Sequence, residues 1–416
     1  MVSAGKYAAL RNSTGRGQRR RAAAELRDSF RMVECNSARL NAAQDAGMLP
    51  AMESKAVICR DSGSPVVETI VVEAPRRGEV LLELAACGVC HSDLSVTDGT
   101  IPLPRPIVLG HEGAGVVLEV GPDVAGFAVG DHVVSSFVSV CGHCNYCRRG
   151  RFSLCVQAAR TTATLPDGTV RTRDASGNPL NVFCGCGVMS EYATLHVDSV
   201  VKIEKAVPLD RAALVGCSVM TGFGAVTNTA KVEPASIVVV FGAGGVGLNV
   251  IQAASLAGAA KIVVVDISPT KLEFARQFGA TDLVNAREQP ELVKSIKKLT
   301  SGGADYSFEC VGRGETISQA YGVLRKGGTA VVVGVASPKD TATLSPMSLT
   351  LEERTLKGSY FGSANPREDF ARVLDLYKSN RLKLDELITR TYPVDAAPEA
   401  FADLVAGRNA RGIIVF

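Results

Sequence analysis

The 416-residue chain lacks an excess of charge of either sign: 45 Lys and Arg face 42 Asp and Glu, a formal net charge of +3. That balance argues against a nucleic-acid binder and against a protein held electrostatically on a membrane surface. No apolar run approaches the roughly 18–20 residues of a membrane-spanning helix. No segment joins a basic start, an apolar middle and a small-residue cleavage site, so an oxidising destination is not implied. The 41 glycines and 18 prolines follow no collagen-like period and gather into no low-complexity tract, and no internal repeat is present. What remains, 46% hydrophobic and 21% charged, is the composition of an α/β globular enzyme. At roughly 100–200 residues per domain it holds two or three domains.

Cysteine, by contrast, is plentiful. Seven of the twelve lie from Cys87 to Cys184, four of them within 141–155. In a reducing compartment such clusters are metal ligands before they are disulfides. Residues 1–51 form a basic tail with nine Lys and Arg, including Arg19-Arg20-Arg21, against Glu25, Asp28, Glu34 and Asp45. An organelle transit peptide shares this texture, but the tail has no core-forming face and no ligand set apart from Cys35. The reading adopted is a dispensable tail on a cytoplasmic protein.

From Met52 the pattern changes to short strands, 55–59 and 79–85 among them, separated by punctuation such as Gly110, Gly121-Pro122 and Pro166-Asp-Gly168. From about 219 to 360, strands at 237–241, 261–265 and 329–333 alternate with helices at 246–256 and 271–278, the latter ended by Gly279. Such repeats predict a doubly wound parallel sheet beside a β-rich domain. The expected divisions are 52–218, 219–360 and a C-terminal segment, 361–416.

Cys141-x2-Cys144-x2-Cys147-x7-Cys155 is the most specific local signal. Four thiolates close a tetrahedral zinc site with no free position, so this ion is structural. The turn Gly242-Ala-Gly244-Gly245-Val246-Gly247 follows a strand and opens a helix, with Asp266 at the end of the next strand. Those glycines let backbone approach a pyrophosphate at a helix N-terminus. Asp266 accepts ribose hydroxyls and repels a 2′-phosphate, which favours NAD. A third set is scattered: Cys90-His91-Ser92-Asp93, Gly110-His111-Glu112 and Gly216-Cys217. Two thiolates and an imidazole would leave a catalytic zinc one open position. Singly, Cys90 and Cys217 also fit small buried hydrophobes and His111 a core histidine, and spacing alone does not bring them together.

In their order along residues 55–416, these segments resemble the zinc-dependent medium-chain alcohol dehydrogenases. The stretch from 165–169 to Glu191-Tyr192 is similar to the long insertion of the dimeric animal and class III branches. The resemblance implies a GroES-like catalytic domain, a Rossmann coenzyme domain and a homo-oligomer, a dimer with a tetramer as the alternative. It implies Cys90, His111 and Cys217 as ligands of a catalytic zinc, the second ion per subunit. Glu112 would lie close to that ion, and Asp93 would orient His111. Ser92 would take the alcohol proton while hydride passes to NAD, with zinc as Lewis acid. His91 and Arg411 match contacts to the pyrophosphate, Lys271 a ribose contact, and Thr221 and Val246 residues against the nicotinamide. Phe137 and Phe183 would stand beside the zinc, with Ile101 and Val335 further along the pocket.

There are departures from the pattern. Ser95 stands where some members end a proton relay with histidine, and 97–102 gives no clear match for the acidic residues that hold a glutathione adduct. The reading is therefore oxidation of primary medium-chain or benzylic alcohols to aldehydes, and the reverse. A thiol-dependent formaldehyde dehydrogenase is the alternative; a non-enzymatic zinc protein binding nucleic acid is the reading from another class. A small alcohol or aldehyde is the expected partner, with no nucleic acid and no membrane.

Overall fold

Val238, Val239 and Val240 have no solvent exposure at all. A parallel strand covered on both faces has no polar side to show, which is why the run 237–241 carries no alternation. The computed structural model describes residues 51–416, and the expected tail lies outside the described residues, Ala51 apart. In it, Ile237–Phe241 is the third of six strands in an all-parallel sheet. The order is Asp282–Asn285, Lys261–Asp266, Ile237–Phe241, Ala304–Glu309, Leu324–Val332 and Thr355–Gly358. The strand order reverses between Ile237–Phe241 and Ala304–Glu309. That reversal opens a crevice at their C-terminal ends, the place where doubly wound sheets bind nucleotides.

The helices fall where the sequence puts them, at Gly245–Leu256 and Pro269–Ala275, with a 3₁₀ turn Arg276–Phe278 closed by Gly279 at φ +112°. The strand expected at 329–333 differs, because it begins at Leu324 and runs through Gly327-Gly328. A register irregularity against Ala304 and Tyr306 absorbs the two glycines, so they do not break the ladder.

The β-rich part holds two further sheets. The larger has seven strands centred on Glu79–Gly88, which pairs with Gly113–Val120, Tyr192–His196 and the last strand of the chain, Arg411–Val415. The smaller has five strands and contains Met52–Cys59 and Val66–Val72. Arg411–Val415 thus lies in the sheet that precedes the first site residues, although more than 300 residues separate the paired strands in sequence.

The stretch 165–173 is fastened by one buried cation. Arg171, 1% exposed, makes a bidentate pair with Glu79 at 2.6 and 2.9 Å and reaches Asp167 at 2.6 Å. Burial works against the Asp167 carboxylate, but the Arg171 and Thr169 donors outweigh it and hold its pKa at about 2. Removing one partner of a buried pair leaves the other charge unpaired. Arg171→Met is therefore expected to cost about 3–5 kcal/mol in chemical denaturation, with much of it recovered in Arg171→Met/Glu79→Met. A loss below about 1 kcal/mol would show that the pair is not what fastens this stretch.

Candidate active site and metal centres

Cys90 is the N-cap of the helix His91–Thr97, which leaves the central strand Glu79–Gly88 after one turn. His111 and Glu112 sit just before Gly113–Val120, the strand paired beside it. Cys217 precedes the helix Ser218–Gly224. Gly110 must be glycine: its φ is +95°, and a Cβ would lie 2.2 Å from the Met189 nitrogen. These strand ends bring one donor atom each from Cys90, His111, Glu112 and Cys217 to within 4.8 Å of one another, all four residues buried.

The donor set fits a metal ion. His111 Nδ1 lies 3.3 Å from Asp93 Oδ1, which also accepts the Gly110 N–H at 2.8 Å. Among the described residues, His111 Nε2 is buried with no hydrogen-bond partner, as is Glu112 Oε1. A buried imidazole nitrogen left unpaired beside two thiols is costly in a metal-free protein and natural in a metal ligand. The Cys217 thiol lowers the Cys90 pKa well below the ordinary range by hydrogen bonding to it, so the site favours a thiolate. Burial alone would lower the His111 pKa, but the Asp93 carboxylate outweighs it and raises it. Burial lifts the Glu112 carboxyl to about 7, against the pull of the hydrogen-bonded Arg411 guanidinium.

Cys141, Cys144, Cys147 and Cys155 gather separately, also within 4.8 Å of one another. Gly142 and Gly150, at φ +79° and +71°, bend the chain around them. The backbone N–H of Cys147 helps to hold the Cys144 thiol at about 6, and burial pushes Cys147 up to about 12. Arg367 anchors the lobe, donating to Val140 O at 2.8 Å and to Asp198 at 3.0 Å.

One cavity of about 1290 Å³ joins most of the expected residues. One wall has Cys90, His91, Ser92, Ile101, His111, Phe137, Phe183 and Cys217; the other has Thr221, Gly242, Gly244, Gly245, Val246, Asp266, Lys271, Val335 and Arg411. Asp93 and Glu112 are not on its surface: they stand behind the donors, with no solvent exposure. Gly247 faces inward instead, where a Cβ would lie 1.8 Å from Gly242 O. It lets the helix pack closely against the turn. Asp266 accepts the Ala243 and Ser268 N–H groups at 2.8 and 2.9 Å, which fixes its carboxylate at the strand end. Phe137 and Phe183 both meet the His111 ring edge-on, at centroid distances of 5.7 and 5.1 Å. Sequence reasoning missed Leu154, Cys184 and Tyr360, which also line the cavity. No local pattern marks them, because each arrives on an irregular turn.

Residues 76–205 match the model of the alcohol dehydrogenase GroES-like domain, and 245–379 match that of the zinc-binding dehydrogenase. An NDMA-dependent alcohol dehydrogenase of Amycolatopsis methanolica is 41% identical over 370 residues, covering 88% of this chain and 99% of that one. The chain belongs to the zinc-dependent medium-chain alcohol dehydrogenase family. An S-(hydroxymethyl)glutathione dehydrogenase of Saccharomyces cerevisiae is 39% identical, covering 86% and 95% of the two chains. The crystal structure of benzyl alcohol dehydrogenase from Acinetobacter calcoaceticus superposes with a TM-score of 0.80 at 33% identity, covering 88% and 99%. Membership makes the protein an oxidoreductase of alcohols and aldehydes, with zinc and NAD(H) as the family's cofactors.

The Asp93 contact has a measurable consequence. Replacing the partner of a metal-binding histidine costs about 10–100-fold in metal affinity or activity. Asp93→Asn is expected to fall in that range in competitive chelator titrations, with the fold retained. Unchanged affinity would mean that Asp93 serves only the Gly110 N–H.

Proposed function

We propose that the protein oxidises primary benzylic or medium-chain alcohols to aldehydes, and reduces the aldehydes, using NAD and two zinc ions per subunit. The observation that carries this reading is the single cavity onto which the Cys90–His111–Cys217 donors and the Gly242–Val246 turn both open. A zinc ion held by those three residues supplies Lewis acidity toward an alcohol or carbonyl oxygen, and the nicotinamide supplies the hydride acceptor. The chain's own residues hold, orient and move the proton.

Ser92 Oγ, 3.7 Å from Cys90 Sγ, takes the alcohol proton and passes it outward past His91 and Ser95, which share the cavity wall. Desolvation lowers the His91 pKa, so at neutral pH it offers the coenzyme pyrophosphate a neutral donor, and Arg411 offers a charged one. Asp266 and Lys271 hold the adenosine ribose, while Thr221 and Val246 press on the nicotinamide. Asp93 keeps Nε2 of His111 turned to the ion. Phe137, Phe183 and Ile101 exclude water and bury the substrate chain, each methylene contributing about 0.8 kcal/mol. Cys141, Cys144, Cys147 and Cys155 hold the second ion, whose role is structural.

The same reading takes 52–218 with 361–416 as the catalytic domain and 219–360 as the coenzyme domain, in a cytoplasmic homodimer. Identity of 39% to an S-(hydroxymethyl)glutathione dehydrogenase supports a second reading, oxidation of a thiol adduct of formaldehyde.

Metal analysis should return two zinc ions per folded subunit. Cys217→Ser should lose one ion and nearly all activity with the fold intact, whereas Cys144→Ser should loosen the cysteine lobe. One zinc in fully active enzyme would refute the two-ion assignment.

Turnover of ethanol, hexanol, benzyl alcohol and formaldehyde with glutathione, each with NAD, NADP or NDMA as acceptor, tests the rest. Higher kcat/KM for benzyl alcohol or hexanol than for ethanol, with NAD preferred and Asp266→Ala relaxing that preference, is the expected outcome. Equal efficiency with ethanol would sink the pocket assignment, and strict thiol dependence would favour the second reading.

A further inference from the structure

Three successive residues at the cavity wall hold left-handed backbone: Phe361 at φ +53°, Gly362 at +62° and Ser363 at +52°. Only the glycine adopts this region freely, so the other two are strained and persist because their surroundings over-determine them. The Phe361 ring is 1% exposed and wedged against Phe137 at 4.4 Å and Phe370 at 6.2 Å. The carbonyl of Gly362 accepts from Asn228 at 3.3 Å, and the Ser363 hydroxyl meets that of Thr229 at 2.8 Å. This turn buries the ring of Phe361, which also borders the cavity, and leaves the preceding side chain, Tyr360, exposed on the cavity wall.

Tyr360 is 49% exposed there, and its ring meets Phe137 edge-on at 5.7 Å and 81°. Among the described residues, its hydroxyl has no hydrogen-bond partner. Desolvation raises its pKa, so the phenol remains a neutral donor.

We infer that Tyr360 is a specificity-determining residue, whose hydroxyl hydrogen-bonds an oxygen substituent on the ring of an aryl alcohol held against Phe137. This rests on the alcohol-oxidising reading above and narrows its substrate class to ring-oxygenated aryl alcohols. The physical ground is asymmetry: phenylalanine would pack on Phe137 equally well, and a ligand with a wholly apolar ring would cover the phenol hydroxyl without satisfying it. A site that holds a polar group for its substrate rejects the analogue that leaves the group unpaired.

The test compares 3- and 4-methoxybenzyl alcohols with the 3- and 4-ethylbenzyl alcohols of matching shape, on the zinc-loaded enzyme and on Tyr360→Phe. At least one methoxy compound should exceed its ethyl counterpart in kcat/KM by about three- to tenfold. Tyr360→Phe should abolish that ratio through KM, chiefly by improving the ethyl compounds, whose binding then covers no unsatisfied hydroxyl. A ratio near one in the wild type, or a ratio unchanged in the variant, would overturn the inference. Should the enzyme oxidise none of these alcohols, the alcohol reading fails on its own terms. Binding of 4-methoxybenzamide against 4-ethylbenzamide to the enzyme–NADH complex then decides Tyr360 separately, equal affinities counting against it.

Discussion

One buried guanidinium ties this enzyme together. Arg411, 6% exposed, comes from the last strand of the chain, hydrogen-bonds Glu112 behind the metal donors and packs on Gly245 at the start of the nucleotide turn. A Cβ on Gly245 would lie 2.5 Å from the Arg411 side chain, so the closeness of turn and cation depends on that glycine. Burying the cation is costly, and the Glu112 carboxylate with the nearby Cys90 and Cys217 sulfurs offsets the cost, raising the Arg411 pKa above its ordinary value. The metal donors, the C-terminal strand and the coenzyme turn therefore share one electrostatic centre.

Around that centre, stiffness comes from close glycine contacts between turns and neighbouring elements. Gly110 and Gly242 take φ values of +95° and +94°, where side chains are strained, and each places a turn against a neighbouring element. The cysteine lobe gains rigidity differently, from Arg367 and Asp198, so the cavity residues it contributes, Leu154 among them, are carried on an anchored turn. The left-handed segment after Tyr360 completes the opposite side. Strain there is held by ring packing on Phe137 and by the contact between Thr229 and Ser363.

Local chemistry was legible in the sequence because its parts are close along the chain. The spacing Cys141, Cys144, Cys147, Cys155 brings four thiols within reach of one ion over fifteen residues, and the observed lobe gathers the same four. The strand–turn–helix around Gly242–Gly247 follows from an apolar run, glycines and helical periodicity, all local too. Tertiary structure decided the rest. Glu112 and Arg411 are 299 residues apart and meet only because Arg411–Val415 pairs with Glu79–Gly88. Family resemblance named Cys90, His111 and Cys217 as one set, but their approach to within 4.8 Å is a product of strand ends and close glycine contacts. Tyr360 carried no sequence signal, since a left-handed turn at two non-glycine residues has no compositional mark. Hydrophobic patterning specifies which face of an element is buried; which distant side chains that burial brings together depends on the closed topology of the sheets.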